Sequence, residues 1–378
     1  MRIPGCMRRL PRKGLLQERR FPVGGTVLRT STCKDPRMRE FTPGESKIIN
    51  LIQRGIPLCH EPFKEIAASL GTTEKDVIET ISSLCEEGVV RDISAIFSGE
   101  KLGYSASLVA FRLAEEDVER AASIVNSHPG VSHNYLRDHD FNMWFTLALP
   151  PGADFTSTVE RMALASHAAD HLVLRNERLF KIGMVLPVGN GEDKPFVAKD
   201  FILSEGNSFP ADVNSREAVR LLQENLPLCE RPFAEIVRRG RGCLDEEQLL
   251  EAARCYLEKG IIRRYAAVLR HGKAGYTANA MTAWRTCSGV DIEKQAGPFI
   301  ESSAVTHLYT RTVYPGRWEH SLFAMVHAKS PDELDEIIET LSSKSGMRDY
   351  LVLRSLREFK KRRVRYFSPE FDTWETGA

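Results

Sequence analysis

Two short stretches of the chain carry a histidine, a tyrosine and an arginine at alternate positions. In a β-strand, alternate side chains share one face, so each stretch would present a proton-transfer group, a phenol and a permanent cation together. Histidine titrates near neutral pH, and arginine binds carboxylates through two parallel hydrogen bonds. The outer face of a solvated sheet would explain one such triplet, but recurrence in both halves favours a site. The triplets are His133, Tyr135 and Arg137, and His307, Tyr309 and Arg311.

A second group of candidates lies where a helical run gives way to a β-type run. In the second half Arg263 and Arg264 precede His271. The first half has Asp92 in the place of Arg264, and Ser98 near the place of His271. The second half therefore has the fuller cationic lining. We expect it to supply most of one competent site, with the first half completing or mirroring it.

Two further features have two interpretations each. His327 lies on a predicted strand, 321–328, where it is either a core residue or a ligand. A basic run closes the second half, either as an exposed strand end or as a contact to the carboxylates of a substrate. The first half has only Lys181 at the matching place. The run consists of Lys360, Lys361, Arg362, Arg363 and Arg365.

The triplets fall within a regular order of predicted elements. From residue 45 the sequence predicts three helices and then one or two short strands, 89–97, that form a small β-ribbon, which is the order of a winged helix-turn-helix. A strand, helix, strand, strand, helix and strand follow, which is the βαββαβ order of the ferredoxin-like fold. Two helices would cover one face of that sheet and leave the other free for a partner or ligand. The six elements are predicted at 104–113, 115–127, 131–137, 141–149, 154–167 and 171–182.

The whole pattern occurs twice. The tetrapeptide LVLR at 172–175 recurs at 351–354, and PLC at 57–59 recurs at 227–229. The predicted fold class is therefore α+β: a tandem repeat of a winged helix-turn-helix plus a ferredoxin-like domain, packed as an intramolecular pseudo-dimer. The predicted boundaries are a basic, disordered tail (1–44), winged helix 1 (45–97), ferredoxin-like domain 1 (98–186), a linker (187–213), winged helix 2 (214–270), ferredoxin-like domain 2 (271–367) and a C-terminal tail (368–378).

Composition indicates a globular protein of ordinary type. The 378 residues are 42% hydrophobic and 27% charged, with a formal net charge of +1, which does not indicate a polyanionic partner. The sequence has no run of about 18 apolar residues, so no membrane span is expected. The eight cysteines form no CxxC pair, which favours free thiols and a cytoplasmic location.

The first forty residues are strongly basic and have no apolar core of a secretory signal. A nucleic-acid arm and a transit peptide are alternatives to the disordered tail. Met38 lies just before the folded pattern begins, so translation from Met1 and translation from Met38 are both left open.

Both candidate recognition helices are acidic. The helix at 74–87 has five acidic residues against one lysine, and the helix at 245–259 has five against two basic residues. Phosphate would repel such helices, whereas a DNA reader needs cations and base-contacting side chains there. We therefore expect no specific DNA binding.

The order of a winged helix and a ferredoxin-like domain resembles that of the Lrp/AsnC transcription regulators. Longer motifs are similar to a narrower family. GIIRRYAAVLRHGKAGYTANAMTAW, VTHLYTR, WEHSLFAMVHAKS and LREFKKRRVRYF resemble the large-subunit half of siroheme decarboxylase. GVVRDISAIFSGEKLGYSASLVAFR and VSHNYLRDHDFNMWFTL resemble its partner half. The resemblance covers about residues 45–367, with both subunits fused on one chain.

The resemblance implies a carboxy-lyase that removes two acetate carboxyl groups from siroheme to give 12,18-didecarboxysiroheme, on the routes to haem and to denitrifier-type haem. It implies no cofactor, because siroheme is the substrate and carries its own iron. The alternatives are a haem- or siroheme-responsive regulator and an amino-acid-responsive regulator of the Lrp/AsnC type. Siroheme is the expected partner, with no membrane; further homo-oligomerisation and hand-over to other tetrapyrrole-pathway enzymes are left open.

A site for siroheme needs cations for its carboxylate rim and an acid near the reacting acetates. A histidine could also be an axial ligand of the siroheme iron, and the sequence does not separate the two roles. The expected catalytic residues are His307, Arg311, Tyr309 and His271. The expected substrate-binding residues are Arg263, Arg264, His327, His133, Tyr135, Arg137 and Lys360, and no residue is assigned to a metal of the protein's own.

Overall fold

The computed structural model describes residues 41–182, 209–240, 242–270 and 278–375. Each half begins with three helices, as the sequence predicts. Thr42, Thr73 and Asp245 close capping boxes at helix starts, and Pro62 and Pro232 occupy first helical turns. The helices are α1 (Pro43–Arg54), α2 (Pro62–Leu70) and α3 (Glu74–Glu86) in the first half, with α6 (Val213–Leu222), α7 (Pro232–Arg239) and α8 (Glu246–Glu258) in the second.

The β-type run after each set of helices pairs across the two halves. Strand β1 (Val90–Phe97) lies antiparallel to β6 (Ile262–Leu269), with Ser94 opposite Ala266 at the centre. The sequence predicted a small ribbon within each half, and this is wrong. The ribbon has one strand from each half, because the approach of the two domains supplies each strand with its hydrogen-bonding partner.

The two winged helix domains share one apolar core. It contains Phe63 and Ile81 from the first half and Phe233 and Leu249 from the second, each almost fully buried. A shared core of this kind makes one structural unit of two helix-turn-helix domains.

The start of the second recognition helix, α8, contacts the first half. The His60 ring lies within 3.1 Å of the Glu246 carboxylate and 3.0 Å of the Glu247 carboxylate. The guanidinium of Arg254 donates from Nε to the carbonyl of Leu58 at 3.1 Å. The turn of helix that would enter a DNA groove therefore lies against the neighbouring domain.

The expected βαββαβ order is confirmed in both halves. The sheet order of the first domain is β5-β2-β4-β3 and that of the second is β10-β7-β9-β8, which is the antiparallel order of the ferredoxin-like fold. The first domain contains β2 (Ser105–Arg112), α4 (Val118–Ser127), β3 (Val131–Arg137), β4 (Met143–Leu149), α5 (Phe155–Ala165) and β5 (Asp170–Ile182). The second contains β7 (Ala278–Trp284), α9 (Ile292–Glu301), β8 (Val305–Arg311), β9 (Leu322–Ala328), α10 (Pro331–Ser345), β10 (Tyr350–Leu353) and β11 (Ser355–Lys361).

Each domain ends in a strand that crosses to the other domain. Strand β5 pairs with β2 along its first part and with β8 along its last part. Strand β11, which continues from β10, pairs with β3. The β-strands of both domains therefore join into one nine-stranded arrangement, and the pseudo-dimer expected from the repeat is present.

The sheet faces opposite the helices pack against each other at their centre. Trp144 and Phe141 of the first domain meet Trp318 and Phe323 of the second, with the two indole rings 5.3 Å apart. The sequence left this face free for a partner or ligand. In the structure the other half covers its middle.

The segment after β11 packs on the first half and ends in a short helix, α11 (Glu370–Glu375). Phe371 is 5% exposed, and the Trp374 ring lies 4.0 Å from the ring of His128. No helix of the described ranges is long and apolar enough to cross a membrane.

Candidate functional site

The second-half triplet lies on β8, between β9 and the end of β5, with its three side chains on one face. The rings of His307 and Tyr309 are 6.3 Å apart and nearly parallel, at 20°. The guanidinium of Arg311 lies over the ring of Tyr309 at 5.2 Å and over that of Phe323 at 5.5 Å. The strand periodicity thus brings together the three residues, as expected.

Arg311 is a half-buried cation with few partners. Its Nη1 donates to the carbonyl of Leu174 at 2.9 Å, while its Nε is buried without a hydrogen-bond partner. Within the described ranges no carboxylate pairs with it. Burial lowers the pKa of Arg311 to about 10, opposed by Tyr309, so the group stays charged at neutral pH. A half-buried guanidinium with unused donors is suited to an anionic ligand.

His307 is oriented by a hydroxyl that it shares with a second histidine. The Oγ1 of Thr306 lies 2.9 Å from Nδ1 of His307 and 3.1 Å from Nε2 of His327. Both Thr306 and His327 are 4% exposed. His327 therefore lies behind His307, in the protein interior, and the hydroxyl contacts Nδ1 of His307.

Arg263 approaches this face from the β1–β6 ribbon. Burial raises the pKa of Tyr309, and the charges of Arg263 and Arg311 oppose that rise. Burial likewise raises the pKa of Tyr366, opposed by Arg263 and Arg363. Arg263 is thus close enough to act on both phenols. Arg263, on β6, therefore adds positive charge near Tyr309 of the triplet.

The first-half triplet has the same geometry on β3. The rings of His133 and Tyr135 are 6.3 Å apart at 23°, and the guanidinium of Arg137 lies 5.1 Å over Tyr135. Nη1 of Arg137 donates to the carbonyl of Leu353 at 2.6 Å and to Oγ of Ser355 at 3.2 Å. In both halves, then, the arginine also donates a hydrogen bond to the crossing strand of the other domain.

The surroundings of the first-half triplet are more acidic. The Tyr135 hydroxyl donates to the Glu358 carboxylate at 3.3 Å, and burial followed by Glu358 raises the pKa of Tyr135. Asp92 binds Arg91 at 2.8 Å and Arg363 at 3.0 Å. These carboxylates neutralise the cations that a carboxylate-rimmed ligand would need there.

Burial also lowers the pKa of His133 to about 4, and Lys361, Arg91 and Arg137 add to the effect. A histidine with that pKa is neutral at pH 7. It is a poor proton donor in this half.

Three candidates lie apart from either triplet or outside the described ranges. Arg264 turns toward α1, with Nη1 3.5 Å from the carbonyl of Gln53, and burial followed by Arg363 lowers its pKa to about 10. His271 falls outside the described residues. Lys360 donates to the carbonyls of Asn126 and His128, at 2.6 and 3.0 Å, at the end of α4.

Lys181 repeats the bonding of Lys360 in the other half. Its Nζ donates to the carbonyls of Ile300 and Ser302 at 2.9 and 2.7 Å, at the end of α9. The two lysines therefore satisfy helix C-terminal carbonyls. Lys360 thus has two backbone acceptors here, and its contact to substrate carboxylates, expected from the sequence, stays a prediction. Other members of the basic run form ion pairs: Arg362 with Glu370, Arg363 with Asp92 and Arg365 with Glu224.

Sequence reasoning missed Thr306 and its counterpart Ser132, whose Oγ lies 2.9 Å from Nδ1 of His133. A signal was present, because a hydroxyl residue precedes the histidine in both triplets. It also missed Glu358, whose position opposite Tyr135 depends on pairing between the halves.

Comparison with known protein families identifies both kinds of domain in this chain. An AsnC-like ligand binding domain matches residues 101–181 and again 273–360. A siroheme decarboxylase NirDL-like HTH domain matches 45–91 and 215–263. The chain is thus a tandem of two AsnC-like units with their helix-turn-helix domains.

The relatives define the family more narrowly. A siroheme decarboxylase of Hydrogenobacter thermophilus is 41% identical over 87% of this chain and 96% of its own length. The crystal structure of a siroheme decarboxylase NirDL in complex with an iron-uroporphyrin III analogue matches with a TM-score of 0.70 and 36% identity, covering 88% of this chain and 97% of that one. A siroheme decarboxylase beta subunit of Oleidesulfovibrio alaskensis is 36% identical over 40% of this chain and 94% of its own length. The chain belongs to the siroheme decarboxylase family.

Proposed function

We propose that this chain is a carboxy-lyase that removes two acetate carboxyl groups from siroheme and yields 12,18-didecarboxysiroheme. The observation that carries the proposal is the face of β8, where the half-buried cation Arg311 lies beside Tyr309 and His307 without a carboxylate among the described residues to neutralise it. Siroheme has a rim of carboxylates and an apolar, flat body. Family membership supports the same substrate.

The reaction needs a proton donor but no oxidant. The bond between the acetate methylene and its carboxylate breaks, carbon dioxide leaves, and the electron pair stays on the methylene carbon. One proton then converts that carbon into a methyl group. A histidine is the side chain best matched to give this proton near neutral pH, and we assign the role to Nε2 of His307. Each siroheme consumes two such protons.

The rim arginines hold the substrate while this happens. Arg311 has unused donors on its fork, and Arg263 adds a second positive charge near Tyr309. Tyr309 lies between His307 and Arg311 as a raised-pKa phenol that stays neutral. These roles make the second-half site the working one.

The first-half triplet is assigned a supporting role. Glu358 and Asp92 would repel substrate carboxylates there, and His133 is neutral at pH 7. Leu179 stands opposite Tyr309 where Glu358 stands opposite Tyr135, so the repulsion is confined to one half.

A regulator of the Lrp/AsnC type is the alternative function. A regulator would need recognition helices open to DNA, but the first turn of α8 is bonded to His60. The proposal therefore includes siroheme as partner, no specific DNA binding and action in the cytoplasm.

The test is anaerobic incubation of purified protein with siroheme, followed by mass analysis of the tetrapyrrole. We expect a loss of two carboxyl groups as carbon dioxide. His307→Ala should lower turnover by roughly a hundredfold or more, as for loss of a general acid. His133→Ala, the matched change, should leave turnover close to that of the unchanged protein. Unaltered siroheme would refute the proposed function, and equal losses in the two variants would refute the choice of half.

A further inference from the structure

The segment after β11 follows the β1–β6 ribbon away from the first-half triplet. The amide of Arg362 donates to the carbonyl of Ser132, which precedes the histidine of that triplet, at 2.8 Å. The guanidinium of Arg363 donates to Oγ of Ser94 at 2.6 Å, at the centre of the ribbon. The segment therefore leads from one triplet across the middle of the ribbon.

Tyr366 lies at the end of the ribbon that carries Arg263. Its ring is 6.2 Å from that of Phe97, edge to face. Phe97 stands opposite Ile262, and the register shifts by one residue there, so Arg263 is the extra residue of a β-bulge. A bulge turns its extra side chain out of the regular alternation, and bulges are common beside active sites. The charge of Arg263 acts on Tyr366 and on Tyr309 of the second-half triplet, so the two phenols share a nearby cation.

The position of Tyr366 is closely fixed, although the residue is only half-buried. Its amide donates to Oε1 of Gln223 at 2.7 Å, and Nε2 of Gln223 donates to its carbonyl at 3.1 Å. The next amide, that of Phe367, donates to the hydroxyl of Tyr104 at 2.7 Å. The Tyr104 ring lies 4.8 Å from the Tyr366 ring. The phenol of Tyr366 is therefore held in one place by its backbone and by its neighbours.

Gly99 of the first half leaves room for this phenol. A Cβ atom on Gly99 would lie 2.8 Å from the Tyr366 hydroxyl and 3.2 Å from the ring carbon Cε1, which is too close for either contact. The backbone of Gly99 has a φ of −57° and a ψ of −36°, which any residue adopts without strain. The missing side chain is therefore explained by the approach of Tyr366 and not by the backbone conformation.

The hydroxyl of Tyr366 forms no hydrogen bond with any residue in the described part of the chain. A tyrosine packed among other rings usually bonds its hydroxyl to a neighbour. Burial raises the pKa of Tyr366, and the charges of Arg263 and Arg363 oppose that rise, so the hydroxyl keeps its proton at neutral pH. Arg363 is paired with Asp92 at 3.0 Å. A neutral donor near the charge of Arg263 is suited to a carboxylate oxygen.

We propose that Tyr366 is a substrate-binding residue of the second-half site, and that its hydroxyl donates a hydrogen bond to a carboxylate of the siroheme rim. This inference rests on the proposed function and adds a residue to the same site. Because Gly99 makes room for the phenol, the first half contributes to the site of the second. Counted from the repeated tetrapeptide LVLR, the first-half residue that matches Tyr366 in sequence is Pro187, which has no hydroxyl.

The test changes the hydroxyl in two independent ways. Tyr366→Phe removes it and keeps the ring against Phe97 and Tyr104. Gly99→Ala leaves the hydroxyl in place but forces it to move, without strain in the backbone. Tyr265→Phe is the control, because the hydroxyl of Tyr265 is buried in the winged helix core and has no partner among the described residues. Siroheme binding by absorbance titration and single-turnover decarboxylation are measured for each variant, with thermal unfolding to confirm the fold.

We expect Tyr366→Phe to bind siroheme about tenfold more weakly or worse, because a hydrogen bond to a charged group is lost. Gly99→Ala should also bind more weakly, and Tyr265→Phe should bind like the unchanged protein. The double variant of Gly99→Ala and Tyr366→Phe should bind no more weakly than the weaker of the two single variants, because both act on one hydroxyl. The rate at saturating siroheme should change less than the affinity, since His307 is untouched.

Unchanged affinity in a folded Tyr366→Phe protein would overturn this inference. Additive losses in the double variant, or an equal loss in Tyr265→Phe, would overturn it as well. The titration does not depend on turnover and so separates this inference from the proposed function. Weaker binding by Tyr366→Phe, in a protein that leaves siroheme unaltered, would refute the proposed function alone. Turnover by a protein whose affinity is insensitive to Tyr366→Phe would refute this inference alone.

Discussion

The phenol of Tyr135 donates a hydrogen bond to the carboxylate of Glu358, 3.3 Å away on the crossing strand β11. The same position on the other crossing strand, β5, is Leu179, which stands opposite Tyr309. Two sites built on one geometry thus differ by a negative charge at the centre of the triplet. Duplication inside one chain permits this, because each half can change without the other, whereas a homodimer must change both sites at once.

The first prediction tests the effect of this negative charge on siroheme binding. Leu179→Glu places a carboxylate beside Tyr309 and should weaken siroheme binding about tenfold or more, because it repels the substrate rim in a half-buried site. Absorbance titration with siroheme measures the effect. Glu358→Leu is the matched control and should leave binding unchanged. Weaker binding in Glu358→Leu than in Leu179→Glu would place the working site on β3.

The second prediction concerns Arg311. Arg311→Lys keeps the charge but loses the planar fork, so siroheme should bind roughly tenfold more weakly. Arg137→Lys controls for structure, since each arginine also donates to a crossing strand, Arg137 to Oγ of Ser355 and Arg311 to the carbonyl of Leu174. If the two variants lose stability equally and neither binds siroheme more weakly, Arg311 stabilises the crossing strand and does not contact the carboxylates of siroheme.

The third prediction concerns Lys360, which donates to two carbonyls at the end of α4. Lys360→Met should lower the free energy of unfolding by about 1–2 kcal/mol, because it leaves those carbonyls without a charged donor. Urea unfolding measures the change. Lys181→Met should behave alike at α9, and turnover of the folded Lys360→Met protein should be normal. A large rise in KM for siroheme with unchanged stability would show instead that Lys360 contacts the carboxylates of the substrate.

The fourth prediction is a pH dependence of stability at His128, which is 2% exposed. Its Nδ1 accepts a hydrogen bond from the amide of Gly130 at 2.9 Å, which requires the neutral ring. Burial, followed by Lys360 and Arg161, lowers the pKa of His128 to about 4. In the unfolded chain the pKa lies near 6.5. The unfolded state therefore binds more protons between these values, and stability falls as pH drops from 6.5 toward 4.

An uncharged replacement should remove that part of the acid dependence. The Oδ1 of asparagine can accept the Gly130 bond, so His128→Asn should keep stability at pH 7 and lose less of it by pH 5 than the unchanged protein. Urea midpoints at the two pH values measure this. Parallel falls in both proteins would assign the acid sensitivity to other groups.

The local parts of this fold could be predicted from the sequence, and the contacts between halves could not. The period of two placed His307, Tyr309 and Arg311 on one face, because strand geometry depends only on neighbouring residues. The role of Lys360 depends on β11 reaching β3, which brings its ammonium group to the end of α4. No periodicity encodes such a crossing. The pairing of β1 with β6 could not be predicted for the same reason, because it joins strands of different halves.

The last prediction concerns duplex DNA, which the protein should not bind in a sequence-specific way. Two observations on α8 support this. Its first turn carries Glu246 and Glu247, which repel phosphate, and both carboxylates lie against His60 of the first half. Opening α8 to DNA would break those contacts and the bond from Arg254 to the carbonyl of Leu58.

Protein that starts at Met38 is the proper sample, since the preceding basic residues can attract any polyanion. Footprinting over a range of salt concentrations should show no protected site. The full chain serves as the control, and weak, salt-sensitive binding without sequence preference is expected from it alone. A protected site that disappears on reversing the charge of Arg254 would show instead that α8 reads DNA.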